Sequence, residues 1–568
     1  MTDMCATGFD QAHEAAIEDA PAADQAPTTD QGQVENSREP IGMVLEIGGS
    51  GAQIALDLQR LTECATDSDP SIALAGAVGS QVKIRVGTSW LLASVRQQKQ
   101  DNATPGGILA TVDFLGEGQQ ERLTGRIHNF RRGVTSYPIP GAYIYPATSA
   151  DLRQIYASDG RANIEIGNVY PTSDIRAGLY VDALLGKHFA LLGSTGTGKS
   201  TSASLILHRI CEHAPEGHIV MIDPHGEYGP AFRNSGNVLD VTNLQMPYWL
   251  MNLEEHCEVF ITNKGTDRTE DEEILGKCLL EARAKNRLAE QLGKVTADAP
   301  VPYLLSDLTT ILQNEMGKLD KGRSAAPYMR LKSKIDEIKS DPRYQFMFSG
   351  MLVADTMPEF ISRVFRLPSR GKPISIIDVS GVPSDITSTV VAVLSRLIFD
   401  FAIWGRDEKT RPLLLVCEEA HRYVPNEKNA DNSSVGKILS RIAKEGRKYG
   451  ISLGLITQRP SDLAEGVLSQ CGTIIAMRLN NDRDQSFVKA AMPEGSRGFL
   501  DAIPALRNRE CIISGEGVSI PIRASFDELE EFKRPASEDP SFSHLWTNSG
   551  GEEEMVVRTV QRWRAGGR

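Results

Sequence analysis

The chain has 568 residues, of which 40% are hydrophobic and 24% are charged. This ordinary globular composition excludes a collagen-like or wholly disordered chain, and the length predicts about two to four domains. The 61 basic and 74 acidic residues give a net charge of −13, which argues against a polycation that binds nucleic acid by overall charge, although it permits a local basic channel.

The sequence has no run approaching about 18 uninterrupted apolar residues, so we expect no membrane-spanning helix and no association with a membrane. The N-terminus lacks the basic start and the apolar stretch of a secretory signal. The eight cysteines are scattered without a CxxC pair, and we expect them to be reduced and mostly buried. Together these features predict a soluble, cytoplasmic protein.

Residues 1–40 form an acidic segment with almost no large apolar side chain. It contains nine acids and one base, Arg38, so it carries −8 of the net charge of −13. Such a segment cannot bury enough apolar surface to offset the entropy lost on ordering. We predict a disordered acidic tail followed by a folded part with a net charge of only −5.

Residues 41–145 consist of short β-like runs, such as SQVKIRVGTSWLLASVRQ, between turn residues. Gly, Asp and Asn interrupt these runs at intervals of about ten residues, which is typical of small all-β domains. We predict a small antiparallel β-barrel or sandwich here. Residues 146–185 are interpreted as a connector that leads into the next domain.

From Phe189 onward, apolar strands alternate with helical patterns. The strand-like runs are HFALLG, GHIVMID, PISIIDVSG, PLLLVCEEA, ISLGLITQ and GTIIAMRL. Nearly continuous apolar strands that alternate with helices indicate a parallel sheet covered on both faces, which is an α/β fold. We assign residues 146–530 to this core, with an inserted helical subdomain at about 250–345, and residues 531–568 to a C-terminal extension.

A glycine-rich motif of the form GxxxxGK[ST] follows the first of these strands. Its glycines let backbone N–H groups curl around phosphates, Lys199 adds a positive charge, and the Ser200 hydroxyl is a ligand for Mg²⁺. We predict that this loop binds ATP and Mg²⁺. The predicted nucleotide-binding residues are Gly193, Ser194, Thr195, Gly196, Thr197, Gly198, Lys199, Ser200 and Thr201.

Two acids follow the apolar strand LLLVC at 413–417. Ligands of open α/β sheets bind at the carboxyl ends of strands, so we assign Glu418 to the metal and Glu419 to the attacking water. The alternative is a strand that runs into a solvated acidic turn. His421, two residues later, fits a structural role as well as a catalytic one.

Three further segments lie at strand ends and have two interpretations each. Asp223 and Glu227 either face the nucleotide or cap the turn after their strand. Gln458 either senses the γ-phosphate or belongs to an ordinary turn. The basic stretch 441–448 is either a solvated helix face or the source of an arginine finger, and a finger acting in trans requires an oligomer.

Five strings in the order found here resemble the HerA-type ATPases, relatives of the FtsK and VirB4 motors, over roughly residues 40–520. They are GKHFALLGSTGTGKS, IDPHGEY, EEAHRYVP, RIAKEGRKYGISLGLITQRPSDL and VLSQCGTIIAMRLNNDRD. The resemblance implies an N-terminal β-barrel, a RecA-like P-loop core with a helical insertion, and assembly as a hexameric ring.

The resemblance also implies roles for individual residues. Lys199 and Ser200 would hold phosphate and metal, Glu419 would be the catalytic glutamate, Arg447 the essential arginine and Gln458 the sensor. The sequence departs from the family at Lys187, where the family often has arginine before the histidine. The acidic tail is a second departure, because it is not a family feature.

HerA-type proteins drive double-stranded DNA through the ring, often together with a NurA-like nuclease, and bacterial relatives pair with Sir2-like or other effectors in anti-phage defence. We therefore expect an ATP-dependent hexameric DNA translocase or helicase that serves either DNA repair or defence. The chain has no second catalytic constellation, so the barrel would dock a partner that supplies one. The alternatives are an ATP-regulated scaffold ring for an effector and a VirB4-like protein-secretion or conjugation motor.

Overall fold

The computed structural model describes residues 39–101, 106–120, 127–156, 160–318, 324–350, 352–426, 433–492, 497–536, 542–547 and 552–564. The predicted acidic tail at 1–40 lies outside the described residues, except for its last two positions.

Eighteen strands lie in these residues. They are β1 (Gly42–Ile47), β2 (Gly51–Asp57), β3 (Gln81–Val86), β4 (Ser89–Gln100), β5 (Gly107–Gln120), β6 (Ile127–Arg132), β7 (Tyr143–Pro146), β8 (Asn163–Val169), β9 (Arg176–Tyr180), β10 (Phe189–Leu192), β11 (Ile219–Asp223), β12 (Gly236–Leu239), β13 (Ile374–Asp378), β14 (Leu413–Cys417), β15 (Ile451–Thr457), β16 (Thr473–Met477), β17 (Glu510–Gly515) and β18 (Ile522–Phe526).

The α-helices of the described residues are α1 (Leu58–Cys64), α2 (Pro70–Ala73), α3 (Ser149–Tyr156), α4 (Val181–Gly186), α5 (Lys199–His213), α6 (Leu253–Phe260), α7 (Thr266–Ala284), α8 (Arg287–Leu292), α9 (Leu305–Gly317), α10 (Ala326–Ser340), α11 (Gln345–Phe348), α12 (Met357–Phe365), α13 (Thr387–Trp404), α14 (Ser434–Glu445), α15 (Glu465–Leu468), α16 (Asp482–Ala491), α17 (Arg497–Leu500), α18 (Phe542–Leu545) and α19 (Glu552–Arg564).

The N-terminal strands form a closed antiparallel barrel in the order β2–β1–β7–β3–β4–β5, because β5 also pairs with β2. In β2 the side chains of Ala52, Ile54 and Leu56 point into the barrel and are buried, while the residues between them face outward. This alternation is what period-two sequences produce when one sheet face is covered. β6 pairs with β5 outside the closed circuit.

A buried ion pair fastens the barrel to α3, the first element after it. Lys83 of β3 lies 2.8 Å from Asp151, whose side chain is 0% exposed. The same carboxylate accepts hydrogen bonds from the backbone N–H groups of Ile127 and Thr148 and from the Thr148 hydroxyl. Asp151 therefore ties together β3, β6 and the start of α3.

The second sheet has eleven strands in the order β12–β13–β11–β14–β15–β10–β16–β17–β18–β8–β9. The pairs from β12 to β16 are parallel, and those from β16 to β9 are antiparallel. The central strands β10, β11, β14, β15 and β16 are buried along their whole length, as expected for strands covered on both faces. The predicted α/β class, with an N-terminal barrel and a helical insertion, is confirmed.

Residues 146–185 are more than the connector that the sequence analysis expected. β8 and β9 from this stretch form the edge of the large sheet, and β8 pairs antiparallel with β18 near the end of the chain. The prediction of a connector was wrong because the partner strand lies some 350 residues later, as the pairing of Val169 with Ala524 shows. Local patterning cannot reveal such distant pairing.

The helical insertion lies between β12 and β13 and contains α6 to α12. It is anchored to the core helix α13 through a buried ion pair. The guanidinium of Arg396 donates to both carboxylate oxygens of Glu255, over 2.8 and 2.9 Å, and to the carbonyl of Leu250. The insertion is thus rigidly attached to the face of the sheet that α13 covers.

Within the described residues, one helix, α13, is long and apolar enough to span a membrane by length and composition, with a mean hydropathy of 1.5. However, 56% of that segment is buried inside the protein. α13 packs against α14 and α6 and carries the ion pair to Glu255. These contacts are those of a core helix in a globular domain.

The Asp151 cluster yields a stability prediction. Asp151→Ala should lower the free energy of unfolding by about 3–5 kcal/mol, because it leaves the buried Lys83 ammonium without its partner. Chemical denaturation followed by circular dichroism measures the change. Asp407→Ala, at a carboxylate that is 92% exposed, is the control and should change stability by about 0.5 kcal/mol or less. Equal effects of the two substitutions would contradict the fastening role of Asp151.

Candidate nucleotide site

The glycine-rich loop lies between β10 and α5 and has the backbone of a phosphate cradle. Gly196 and Gly198 have φ values of +77° and +89°, a region that favours glycine. Thr197 is buried and donates its hydroxyl proton to the carbonyl of Ser194 over 2.8 Å, which closes the loop. The N-terminus of the 15-residue helix α5 therefore points its free N–H groups into the loop.

The two acids after β14 lie at the same end of the sheet. Glu418 and Glu419 are only 3% and 5% exposed. Glu419 has a left-handed backbone with φ of +49°, which is rare outside glycine and turns this residue sharply out of the strand direction. The interpretation as a solvated acidic turn is therefore wrong, because both carboxylates are buried.

Lys199 joins the loop to these acids. Its ammonium lies 2.8 Å from Glu418 Oε1 and 3.4 Å from Glu419 Oε1. Burial acts to lower the pKa of Lys199, but the two carboxylates outweigh burial and raise that pKa, so the lysine is an ammonium at neutral pH. Burial raises the pKa of the Glu418 carboxyl, and Lys199 counteracts this effect.

The turn after β11 separates the roles of Asp223 and Glu227. Asp223 accepts backbone N–H bonds from His225, Gly226 and Tyr228 over 2.8–3.1 Å, so it caps the turn. Glu227 faces the nucleotide loop, since its carboxylate is hydrogen-bonded to the Ser200 hydroxyl and feels the charge of Lys199. Burial raises the pKa of Glu227, and the neighbouring Asp223 raises it further.

Gln458 lies directly beside the phosphate loop. It follows β15, the strand between β10 and β14, so it stands between the loop and the acid pair. The Thr195 hydroxyl donates to Gln458 Oε1 over 2.5 Å. This position suits the predicted sensor better than an ordinary turn.

His421 also belongs to this cluster. Its Nδ1 lies 2.9 Å from the Thr457 hydroxyl and 3.3 Å from Glu419 Oε2. Burial lowers the pKa of His421, despite the nearby carboxylate, so the ring is neutral at pH 7. The neutral imidazole lies beside Thr457 and Glu419 and adds no charge to the site.

Arg447 is the one predicted catalytic residue that lies away from this cluster. It is exposed in a 3₁₀ turn, Gly446–Tyr449, immediately before β15, whereas Gln458 follows the other end of that strand. The seven residues of β15 separate the two ends by about 20 Å at ~3.3 Å per residue. Arg447 therefore cannot reach the phosphate loop of its own chain.

At Lys187 the sequence departs from the family pattern. Like Arg447, this residue lies at the amino end of the parallel sheet, where β10 and β15 begin. It forms an ion pair with Glu516. The adjacent His188 is buried: its Nδ1 accepts from the backbone N–H of Leu453, and its Nε2 donates to the carbonyl of Ala443. His188 thus links the strand that leads to the phosphate loop with the segment that carries Arg447.

The donor set fits a divalent cation bound together with nucleotide. Glu418, Glu419 and Glu227 bring three carboxylates to a site with one ammonium, and the buried Oε2 of Glu419 receives no hydrogen bond within the described part of the chain. No group of three or more His, Cys, Asp or Glu residues forms a metal cage among the described residues. Mg²⁺ does not need one, since it is usually held by few protein groups, phosphates and water.

Ser200 and Glu418 would hold Mg²⁺, and the bound metal would neutralise charge on the phosphates. The chain's own residues would supply the rest of the chemistry. We propose that backbone N–H groups of the loop and Lys199 bind phosphate oxygens and that Glu419 accepts a hydrogen bond from the attacking water and orients it. Gln458 lies beside Thr195 of the phosphate loop.

Sequence reasoning missed Tyr228, although it considered two neighbours in the same motif. Tyr228 is fully buried, and its hydroxyl donates to Glu418 Oε2 over 2.9 Å. The signal in the sequence is limited to the string IDPHGEY, in which Tyr228 follows the strand-end Asp223 by five residues. However, the pattern does not reveal that its hydroxyl meets an acid 190 residues later.

Comparisons with known proteins find similar sequences. The family model "Helicase HerA, central domain" matches residues 164–398. The DNA double-strand break repair helicase HerA of Pyrococcus furiosus is 26% identical over 526 residues, which cover 84% of this chain and 87% of that relative. A probable helicase of Methanocaldococcus jannaschii is 24% identical over 489 residues, covering 83% of this chain and 89% of that relative.

Among solved structures, VirB4 of Thermoanaerobacter pseudethanolicus is similar with a TM-score of 0.47 and 16% sequence identity. The alignment covers 66% of this chain and 99% of that one.

The position of Glu419 generates a prediction for catalysis. Glu419→Gln keeps the shape of the side chain but removes its basicity, so kcat for ATP hydrolysis should fall by about 100-fold or more while nucleotide binding persists. Steady-state turnover and equilibrium binding of a fluorescent ATP analogue separate the two effects. Turnover within a few-fold of the unmodified protein would show that Glu419 does not orient the water.

Proposed function

Because the chain is a HerA-type P-loop ATPase of the FtsK–HerA superfamily, we propose that it is an ATP-driven translocase or helicase that acts on double-stranded DNA. The observation that carries the proposal is the match to a DNA double-strand break repair helicase over 84% of this chain and 87% of that relative. The match covers 84% of this chain, so it extends well beyond the phosphate loop.

We further propose that the working form is a ring of six chains in which each nucleotide lies between two neighbours. One chain contributes Lys199, Glu418, Glu419 and Gln458 from the carboxyl ends of its strands. The next chain contributes Arg447, which lies at the amino ends of its strands. A head-to-tail contact would bring the carboxyl ends of the strands in one chain next to the amino ends of the strands in its neighbour, and such contacts close into rings. A guanidinium near the γ-phosphate then stabilises charge that develops during hydrolysis.

The barrel is proposed as the docking surface for a partner that supplies a second activity, a NurA-like nuclease or a Sir2-like or other effector. Its outer face carries exposed apolar side chains on neighbouring strands. Met43 lies opposite Tyr143 in the β1–β7 pair, and both are about half exposed, as is Leu45. Adjacent exposed apolar side chains are typical of protein–protein contacts. We place the assembly in the cytoplasm, in DNA repair or in anti-phage defence.

The proposal is tested by measuring ATP hydrolysis with and without linear duplex DNA, alongside the mass of the assembly. We expect DNA to stimulate turnover in a particle six times the 62.0 kDa chain mass. DNA binding should weaken as salt rises, because basic side chains that contact phosphates release counterions. Turnover that ignores DNA would instead favour the scaffold ring, and stimulation by a protein substrate would favour the secretion motor.

The shared site makes a separate prediction for mixed assemblies. Lys199→Ala and Arg447→Ala should each abolish turnover. Co-expressed at equal amounts, they should regain activity, because about one interface in four then pairs an intact phosphate loop with an intact arginine in a head-to-tail ring. The measurement is the specific ATPase activity of assemblies purified through two different tags.

The matched control combines Lys199→Ala with Glu419→Gln. Both of these residues lie on the same side of the interface, so every interface in the mixture carries a defect and activity should stay absent. If the Lys199→Ala and Arg447→Ala mixture also stays inactive, Arg447 does not act across the interface.

A further inference from the structure

We infer that Tyr228 is a positioning residue for metal binding: its hydroxyl holds one oxygen of Glu418 so that the other oxygen faces the divalent cation. The inference rests on the nucleotide site of the proposed function and concerns a residue that lies outside the phosphate loop and the acid pair.

A rigid turn places Tyr228 close to the carboxyl ends of β11 and β14. β11 ends at Asp223, whose Oδ2 accepts the backbone N–H of Tyr228 over 2.8 Å, while its Oδ1 accepts those of His225 and Gly226. Gly226 has a φ of +69°, which lets the chain reverse sharply. The Tyr228 side chain is fully buried as a result.

The phenol hydroxyl lies between the two side chains that would hold Mg²⁺. It donates to Glu418 Oε2 over 2.9 Å and is hydrogen-bonded to the Ser200 hydroxyl. The other Glu418 oxygen, Oε1, lies 2.8 Å from Lys199 Nζ and faces the phosphate loop. Tyr228 thus spans the gap between α5 and the end of β14 at the point where a cation would bind.

The hydrogen bond from Tyr228 to Glu418 is important because Glu418 is buried. Glu418 is only 3% exposed, so solvent cannot supply the hydrogen bond that its inner oxygen requires. Without Tyr228 the carboxylate would rotate to seek another donor and would no longer present Oε1 to the metal. Hydrogen bonds of this kind, one step removed from the metal, are worth about 10- to 100-fold in metal affinity.

A purely packing role is the competing explanation, since Tyr228 belongs to the main hydrophobic core. Tyr423 offers a contrast within the same site. It is 2% exposed and lies close to Cys417 and Glu418, but its hydroxyl finds no hydrogen-bond partner among the described residues. Removing the hydroxyl from each tyrosine therefore distinguishes packing from positioning.

The experiment measures how the binding of a fluorescent ADP analogue depends on MgCl₂ concentration, in the full-length protein without DNA. Tyr228→Phe should raise the Mg²⁺ concentration at half-maximal effect by about 10- to 100-fold. Its affinity for the analogue in EDTA should equal that of the unmodified protein. Tyr423→Phe should change neither quantity.

A double-mutant cycle tests whether Tyr228 acts through Glu418. In a Glu418→Gln background, Tyr228→Phe should shift the Mg²⁺ midpoint by less than about two-fold, because the contact is already altered. Additive effects in the cycle would overturn the inference, as would an unchanged Mg²⁺ midpoint in Tyr228→Phe alone. Loss of binding in EDTA, or failure of Tyr228→Phe to fold as judged by circular dichroism, would assign the hydroxyl a structural role instead.

These readouts involve neither DNA nor turnover. A protein that hydrolyses ATP without responding to DNA would contradict the proposed motor and leave this titration intact. Conversely, an unshifted midpoint would remove the role of Tyr228 while the motor proposal stands.

Discussion

The nucleotide site depends on charge that is buried at the carboxyl ends of the parallel strands. Two carboxylates, Glu418 and Glu419, lie side by side with almost no exposure, and one ammonium, Lys199, faces both. Burying two acids is costly unless they are paired, and a single lysine leaves negative charge unbalanced. This excess of negative charge fits the proposed binding of a divalent cation, whose positive charge would balance both the carboxylates and the phosphates of a bound nucleotide.

The order of strands turns this local charge into a catalytic arrangement. β15 lies between the strand that bears the phosphate loop and the strand that bears the acids. Gln458, which follows β15 at its carboxyl end, therefore lies between the phosphate loop and the two acids. Arg447, which precedes β15, lies at the opposite, amino end of that strand. Strand polarity thus places Gln458 and Arg447 at opposite ends of β15, and the proposed ring would bring them together across a contact between two chains.

Much of this could be predicted from sequence, for physical reasons. The strands β10, β14 and β15 are apolar along their whole length because both faces are covered, and the phosphate loop needs its glycines for backbone conformation. Other features depend on distant contacts. The pairing of β8 with β18 and the bond from Tyr228 to Glu418 join segments far apart in sequence, so no local pattern reports them. The left-handed backbone of Glu419 is likewise invisible, since nothing about glutamate predicts it. Asp223 and Glu227 share one motif, and only coordinates show that one caps the turn while the other faces Ser200.

We propose that each nucleotide site is built from two chains. The most direct measurement is a cryo-electron microscopy structure of the assembly with a non-hydrolysable ATP analogue, Mg²⁺ and duplex DNA. If the site is shared in this way, the Arg447 guanidinium of a neighbouring chain should lie about 3 Å from a γ-phosphate oxygen, with Lys199 of the nucleotide-binding chain on the same phosphates. An arginine of the same chain in that position, with Arg447 left in solvent, would contradict it.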